Sequence, residues 1–146
     1  MTIAVLIAAV LVAVCTATHY WALRGSAWLI GPTCPPGRAL AYAVAAIALA
    51  HILEAGLYAS GFWFAVHGPA IGDLKASADG APPPDLMDYF YFSLVNFTTL
   101  GRGDLLPEGH LRFITAIEAF HGFLLITASG SFVLQVMAGK NPFRDD

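Results

Sequence analysis

Residues 98–104, Thr-Thr-Leu-Gly-Arg-Gly-Asp, contain the residue types that a cation site built from main-chain oxygens requires. In such a site, consecutive backbone carbonyls replace the water around a dehydrated cation, and a threonine hydroxyl adds an oxygen at the inner end. Glycines stand where the chain must take backbone angles that other residues avoid. Thr99, Gly101 and Gly103 fall at the positions that this chemistry needs. The segment therefore predicts a loop that coordinates a cation through its backbone.

Four ionisable residues inside apolar segments could carry a different chemistry. His51 and Glu54 are three residues apart, as are Glu118 and His121, so each pair shares one face of a helix. Ionisable side chains inside a membrane segment are functional candidates by default. Glu-x-x-His is also the repeat of di-iron helical bundles, although a complete site needs a further Glu from each of two other helices.

Three interpretations of these four residues remain open. They could pair across helices and so be satisfied in lipid, which is a structural role. His51 or His121 could sense protons, because imidazole titrates near neutral pH. The third interpretation is a metal-binding helical bundle that uses Glu118 and His121 with His51 and Glu54, but the first apolar segment supplies no carboxylate to complete it.

The composition places these residues in a membrane protein of one domain. Of 146 residues, 58% are hydrophobic and only 12% are charged, which is too apolar for an ordinary soluble domain and too short for two large ones. The sequence contains no phosphate-binding loop, no cysteine pairs at zinc spacing and no nucleophile with an orienting base, so we do not expect an enzyme. Seven Lys and Arg residues form no basic face, which argues against nucleic-acid binding.

Three segments are long enough to cross a hydrocarbon core of about 30 Å, which takes about 20 residues of helix. They cover residues 2–23, 38–67 and 112–138. The second and third contain Glu54 and Glu118, respectively, as their interior charges. A turn is expected at residues 24–37, where prolines and glycines cluster.

A fourth, shorter helix is predicted at residues 86–97, after three consecutive prolines and with Asp85 as its N-cap. About 12 residues cannot span a bilayer, so the helix is expected to be re-entrant and buried in protein. Its C-terminus carries about half a negative charge from the helix dipole and would point at the cation loop.

Basic residues predict the orientation. Arg24, Arg38, Lys140 and Arg144 flank one set of helix ends, whereas the polar stretch at residues 68–109 carries mainly aspartates. The positive-inside rule then places the N-terminus outside and the C-terminus in the cytoplasm of a multi-pass protein of the cell (inner) membrane.

With these elements in place, residues 85–137 resemble the pore domain of the tetrameric potassium-channel family, especially its small bacterial pore-only members. The matching residues are Thr98-Thr99-Leu100-Gly101, Gly103-Asp104, Pro107, and Gly122 at the spacing of the family's gating glycine. With the outer helix the resemblance covers residues 39–138. It implies that Thr99, Leu100, Gly101, Arg102 and Gly103 hold K⁺, mainly through backbone carbonyls, and that Gly122 is a gating hinge.

One residue departs from the resemblance. The family has an aromatic residue where this chain has Arg102, and that aromatic packs against pore-helix residues at the positions of Tyr91 and Phe92. Arg102 could stack on those rings and pair with Asp104. It could instead turn into the mouth, where four guanidinium groups would oppose cations and leave a non-selective or non-conducting subunit.

The sequence therefore predicts an all-α membrane protein with three transmembrane helices, a re-entrant pore helix and a selectivity-filter loop in each subunit of a homotetrameric channel. We expect residues 1–37 to add an N-terminal helix and turn, residues 38–139 to form the pore domain, and residues 140–146 to form a cytoplasmic tail. The expected function is passive cation permeation, with K⁺ as the permeant ion and no cofactor. Its expected partners are further copies of the chain, the lipid bilayer and monovalent cations.

Overall fold

The computed structural model describes residues 1–31, 33–78, 80–101, 103–141 and 143 of the chain. Arg102, and Arg144 among the basic residues used to predict orientation, lie outside this part. The described elements are helices α1 (Thr2–Leu29), α2 (Pro36–His67), α3 (Leu86–Phe97) and α4 (Leu111–Met137), with strands β1 (Leu74–Ala76) and β2 (Leu105–Pro107). Helices α1, α2 and α4 are long and apolar enough to cross a membrane. The predicted all-α membrane fold with three spanning helices and one short helix is confirmed.

The first helix is longer than the sequence predicted. It continues through Arg24 to Leu29, so the turn that was expected to begin at residue 24 begins six residues later. The Arg24 guanidinium donates a hydrogen bond of 2.9 Å to the Tyr20 hydroxyl and lies 5.7 Å from the centre of the Trp21 ring. A long basic side chain can stay on a helix when its stem and head find such partners, so this charge did not mark the helix end.

Helices α2 and α4 each pack against the other three helices. Side chains from all four helices form the larger apolar cluster, which includes Tyr58, Phe62, Phe97 and Ile114. A smaller cluster lies further along the spanning helices and consists of Leu23, Ala27, Ala39, Ala43, Phe132 and Val136. Small residues allow the close contact, since a Cβ on Gly61 of α2 would lie 2.6 Å from Leu11 Cδ1 of α1.

The two short strands were not predicted. Three residues are too few to show an alternating pattern, and β1 and β2 pair antiparallel with Leu74 opposite Pro107. Lys75 Nζ donates a 2.7 Å hydrogen bond to Glu108 across this ladder, and the bond raises the pKa of Lys75 above its usual value. The ladder ties the segment after α2 to the segment that follows residues 98–104.

Candidate functional site

The predicted pore helix α3 is fixed at both ends by its own sequence. Asp85 is the N-cap, as predicted, and its side chain accepts hydrogen bonds from the backbone N–H groups of Met87 and Asp88 at 2.8 and 3.0 Å. The Asp88 carboxylate accepts in return from the Asp85 N–H at 2.9 Å, which completes a capping box.

The C-terminus of α3 turns directly into residues 98–104, the filter loop. The Leu100 N–H donates to the Val95 carbonyl at 2.9 Å, and the Thr99 N–H donates to the Asn96 carbonyl at 2.8 Å. These two bonds form a Schellman motif, in which the residue in the left-handed conformation is usually glycine. Here that residue is Thr99, with φ of +59°. A β-branched residue at positive φ is strained, and strain of this kind is found mainly at functional sites.

The two glycines of the filter loop also adopt left-handed backbone angles, with φ of +56° at Gly101 and +79° at Gly103. Both glycines are exposed in the single chain, and Leu100 is 67% exposed. Thr99, Leu100 and Gly101, three of the positions that the sequence assigned to cation coordination, therefore form an accessible turn at the end of α3. Arg102 lies outside the described residues, so the two hypotheses for its side chain remain predictions.

Tyr91 and Phe92, the predicted filter support, lie behind this loop. The Tyr91 hydroxyl donates a 2.9 Å hydrogen bond to Asp104 Oδ2, which links the pore helix to the end of the filter loop. Phe92 packs edge-on against Phe62 of α2, with ring centres 5.2 Å apart. Tyr91, Phe92 and the two filter glycines line one cavity of about 240 Å³.

Gly122, the predicted hinge, lies where α4 packs directly against the end of the pore helix. A Cβ at this position would collide with the main-chain carbonyl of Phe97, the last residue of α3. The absence of a side chain at Gly122 thus has a packing reason. Its role as a gating hinge remains a prediction.

Glu118 is fully buried and bonds to the pore helix. Its Oε1 lies 2.5 Å from Ser93 Oγ, and the same Oγ lies 2.7 Å from the Ala55 carbonyl. The Ser93 hydroxyl has one hydrogen, so both contacts are hydrogen bonds only if Glu118 carries a proton and donates it to Ser93. A neutral carboxylic acid is also the form that burial in an apolar bundle favours. The three residues hold α3 against α2 and α4.

His121 also bonds to hydroxyl groups of other helices. Its Nδ1 lies 3.0 Å from the Tyr58 hydroxyl of α2, and its Nε2 lies 3.0 Å from Thr16 Oγ1 of α1. Each ring nitrogen therefore has a partner in a different helix. The sequence did not indicate either hydroxyl, because both belong to residue types that are common in spanning helices.

The third polar group consists of His19, His51, Glu54 and Ser129, here termed the histidine cluster. His19 Nδ1 lies 3.0 Å from Glu54 Oε1, and His51 Nδ1 lies 2.9 Å from Glu54 Oε2. Ser129 Oγ lies 3.3 Å from His19 Nε2 and 3.1 Å from His51 Nε2. The two imidazole rings are stacked, with centres 5.3 Å apart. The cluster is a closed ring of four side chains from α1, α2 and α4.

Counting hydrogens shows that the ring can satisfy all four contacts without a bound ion. Glu54 can accept from both Nδ1–H groups, but Ser129 can donate to only one Nε2. All four bonds form when one imidazole carries a second proton and donates to Ser129, which in turn donates to the other imidazole. In that form the ring has no net charge, which suits its burial.

The structure separates the four ionisable residues that the sequence grouped together. His51 does pair with Glu54, but Glu118 and His121 bond to Ser93, Tyr58 and Thr16 rather than to carboxylates or imidazoles. The interpretation of one metal-binding bundle made of all four is therefore wrong. Sequence reasoning missed His19, whose only signal was a histidine inside the otherwise uncharged apolar segment at residues 2–23.

Comparisons with known proteins identify the family of the chain. A family model described as ion channel matches residues 39–138, more than half of the 146-residue chain. An uncharacterized membrane protein of Bacillus subtilis strain 168, YdjJ, is 40% identical over 63 residues. That match covers 42% of this chain and 18% of the relative. No solved structure matches the chain. The chain is a multi-pass membrane protein, and it belongs to the ion channel family.

Proposed function

We propose that the chain is one subunit of a homotetrameric pore for passive permeation of monovalent cations, with K⁺ as the preferred ion. The observation that carries this proposal is the left-handed turn at the end of α3. In that turn Thr99 and Gly101 take positive φ values, as Gly103 does two residues later, and all three are exposed. No enzymatic activity is proposed.

The electrostatics of α3 support a cation at this turn. The C-terminus of a helix carries about half an elementary negative charge, and the filter loop begins at that end. Buried contacts of Ser93 and the Tyr91–Asp104 bond hold the helix and loop in one orientation. Such support keeps the carbonyl oxygens of the loop in place, so that they can replace the hydration shell of an ion.

The exposure of the filter loop supports assembly. Irregular backbone is tolerated at membrane depth only when it is buried in protein or lines water, and one chain leaves residues 98–101 exposed. Helix α4 also exposes large apolar side chains, including Phe120, Phe123 and Leu134. Three further copies around the loop would cover part of this surface and close a ring of carbonyls.

The remaining assignments belong to the same proposal. Residues 38–139 would form the pore unit, residues 1–37 an added helix and turn, and residues 140–146 a cytoplasmic tail. Gly122 would act as the gating hinge, and the N-terminus would lie outside.

A second candidate function follows from Arg102, which stands where the resembled family has an aromatic residue. If its guanidinium group faced the pore, the assembly would be non-selective or non-conducting, because four cations in a poorly screened mouth raise a barrier. Substitution separates the two functions. A silent wild type that Arg102→Tyr makes conductive would support this second candidate, whereas a wild type that conducts K⁺ in preference to Na⁺ would exclude it.

The test is ion flux into liposomes that contain the purified chain, under separate K⁺, Na⁺ and Cl⁻ gradients. We expect K⁺ flux above Na⁺ flux and no Cl⁻ flux. Gly101→Ala should abolish K⁺ flux, since alanine does not readily adopt φ of +56°. Gly130→Ala is the matched control, because a Cβ there meets nothing within 4 Å on a regular helix. A stable monomer on cross-linking, or equal K⁺ flux from both variants, would contradict the proposal.

Orientation can be tested separately with Cys34, which lies in the turn between α1 and α2. A membrane-permeant thiol reagent should label it in intact cells, and an impermeant reagent should not. Cys15 is buried and should contribute little to either signal. A Cys34→Ser variant provides the background, and labelling from outside would reverse the topology.

A further inference from the structure

We propose that His19, His51 and Glu54 form a binding site for a divalent transition-metal ion of the Zn²⁺ type, buried between the three spanning helices. The ligand atoms that these residues offer all lie within 4.8 Å of one another. Among the described residues, no other three His, Cys, Asp or Glu side chains form such a group. The inference does not depend on conduction through the filter loop.

The first argument is the convergence of the ligand atoms. Nδ1 of His19 and Nδ1 of His51 contact different oxygens of the same Glu54 carboxylate, at 3.0 and 2.9 Å. Zinc holds nitrogen and oxygen ligands at about 2.0–2.2 Å, so neighbouring ligand atoms on one tetrahedral ion lie about 3.3–3.6 Å apart. An ion that replaces the Nδ1 hydrogens would therefore need only a small movement of the side chains.

The second argument is that the far side of both rings is already anchored. A metal-binding histidine almost always donates its other ring N–H to an outer acceptor, which fixes the ring and its tautomer. Here both Nε2 atoms lie next to one hydroxyl oxygen, Ser129 Oγ, which has two lone pairs. Each Nε2–H can donate to that oxygen while each Nδ1 faces the carboxylate.

The donor set selects the class of ion. Two imidazoles and one carboxylate suit Zn²⁺, Cu²⁺, Ni²⁺ or Fe²⁺, whereas Mg²⁺ and Ca²⁺ prefer oxygen ligands throughout. Three protein ligands leave a fourth position for water or another small ligand. The side chains of Glu54 and His19 are 0% and 4% exposed, but that of His51 is 17% exposed, so an ion would enter past His51.

Apolar side chains close the cluster at both ends along the helices. Along α1, α2 and α4 it lies between the larger and the smaller apolar clusters, which exclude water above and below. Of the other ionisable groups nearby, Cys15 donates a hydrogen bond to the main-chain carbonyl of Glu54, and His121 is held by two hydroxyls. Because His19 belongs to α1 and Glu54 to α2, a bound ion would fasten the added helix to the pore module.

The experiment uses the full chain, purified in detergent, stripped with a chelator, loaded with Zn²⁺ or Co²⁺ and desalted. Elemental analysis should find one ion per chain, and Co²⁺ should give the visible absorption of a low-symmetry nitrogen and oxygen site. His19→Gln and Glu54→Gln should each lose the bound ion. Ser129→Ala should weaken affinity about 10- to 100-fold, which is typical for loss of an outer hydrogen bond. His67→Gln is the control, because His67 is exposed, accepts or donates no bond within the histidine cluster, and instead bonds to the Trp63 carbonyl and stacks on the Trp63 ring.

A cysteine swap keeps the test decisive if the Gln variants do not fold. His51→Cys should bind Co²⁺ with a sulfur-to-metal charge-transfer band that the wild type lacks. Zn²⁺, but not Mg²⁺, should raise the unfolding temperature of the wild type and of His67→Gln. A wild type that retains clearly less than one ion per chain would overturn the proposal, and so would a His51→Cys variant without the new band. Either result would mean that the cluster binds protons and no metal.

Discussion

The filter loop and the histidine cluster both place polar atoms in a chain that is mostly apolar helix, but they use different parts of their residues. The loop presents its backbone, and its shape depends on φ values at Thr99 and two glycines within five residues. The cluster presents side chains from α1, α2 and α4, separated by up to 110 positions along the chain. A backbone site can be read from local sequence, whereas a side-chain site depends on how the helices pack.

The largest effect is expected from breaking the histidine cluster. Glu54→Ala would leave the buried His19 and the partly buried His51 without their common acceptor, and removing one partner of a buried charged pair costs about 3–5 kcal/mol. Denaturant unfolding in detergent, followed by tryptophan fluorescence, measures the free energy of unfolding. Glu108→Ala removes an exposed carboxylate and serves as the control. A Glu54→Ala loss no larger than that of Glu108→Ala would mean that the cluster does not hold the helices together.

The next effect is expected at Gly122, where the pore helix meets α4. Gly122→Ala would press a methyl group against the Phe97 carbonyl, and overpacking of this kind costs about 1–3 kcal/mol. Gly130→Ala on the same helix should be neutral in the same unfolding assay. If Gly122→Ala changes gating while the free energy of unfolding stays constant, the hinge role outweighs the packing role.

A smaller effect is expected from Tyr91→Phe. This substitution changes a side chain that supports the backbone of the filter loop. The variant loses a hydrogen bond to Asp104, an interaction that contributes about 0.5–1.5 kcal/mol. We expect a lower ratio of K⁺ to Na⁺ flux with little loss of protein. Tyr42→Phe, at an exposed position of α2, is the control. An unchanged flux ratio would show that this bond does not hold the filter loop.

The smallest effect is expected from Lys75→Met on the outer ladder. Both partners of the Lys75–Glu108 pair are exposed, and surface ion pairs of this kind are largely screened by salt. Because the pair raises the pKa of Lys75, any stability that it adds is present below the usual lysine pKa and is lost as pH rises through the folded-state pKa. We expect equal unfolding temperatures for wild type and variant at neutral pH. A clear drop would give the ladder a larger role than its exposure indicates.

The sequence predicted the parts of the molecule that depend on local chemistry. The lengths of the apolar segments predicted the three spanning helices, and Asp85 after three prolines predicted the start of α3. It failed at the end of α1, because Arg24 was treated as a charge at the membrane surface. In the structure a tyrosine and a tryptophan on the same helix accommodate the guanidinium group.

The histidine cluster could be predicted only in part. His51 and Glu54 share one helical face, and this pairing follows from their spacing. His19 and Ser129 are distant in sequence and ordinary in type, and their approach depends on the packing of α1 and α4 against α2. Glu118 and His121 were grouped with them by spacing alone, but the hydroxyl groups of neighbouring helices decide their contacts.

Thr99 also has a consequence for how the chain could change under selection. At φ of +59°, glycine or asparagine would suit the turn better, and relief of left-handed strain is worth about 1 kcal/mol. A laboratory screen for heat resistance alone should therefore enrich Thr99→Gly. A screen that also demands ion flux should reject it, because the proposed inner hydroxyl ligand would be gone. The frequency of that one substitution under the two screens would measure what the threonine contributes to the working pore.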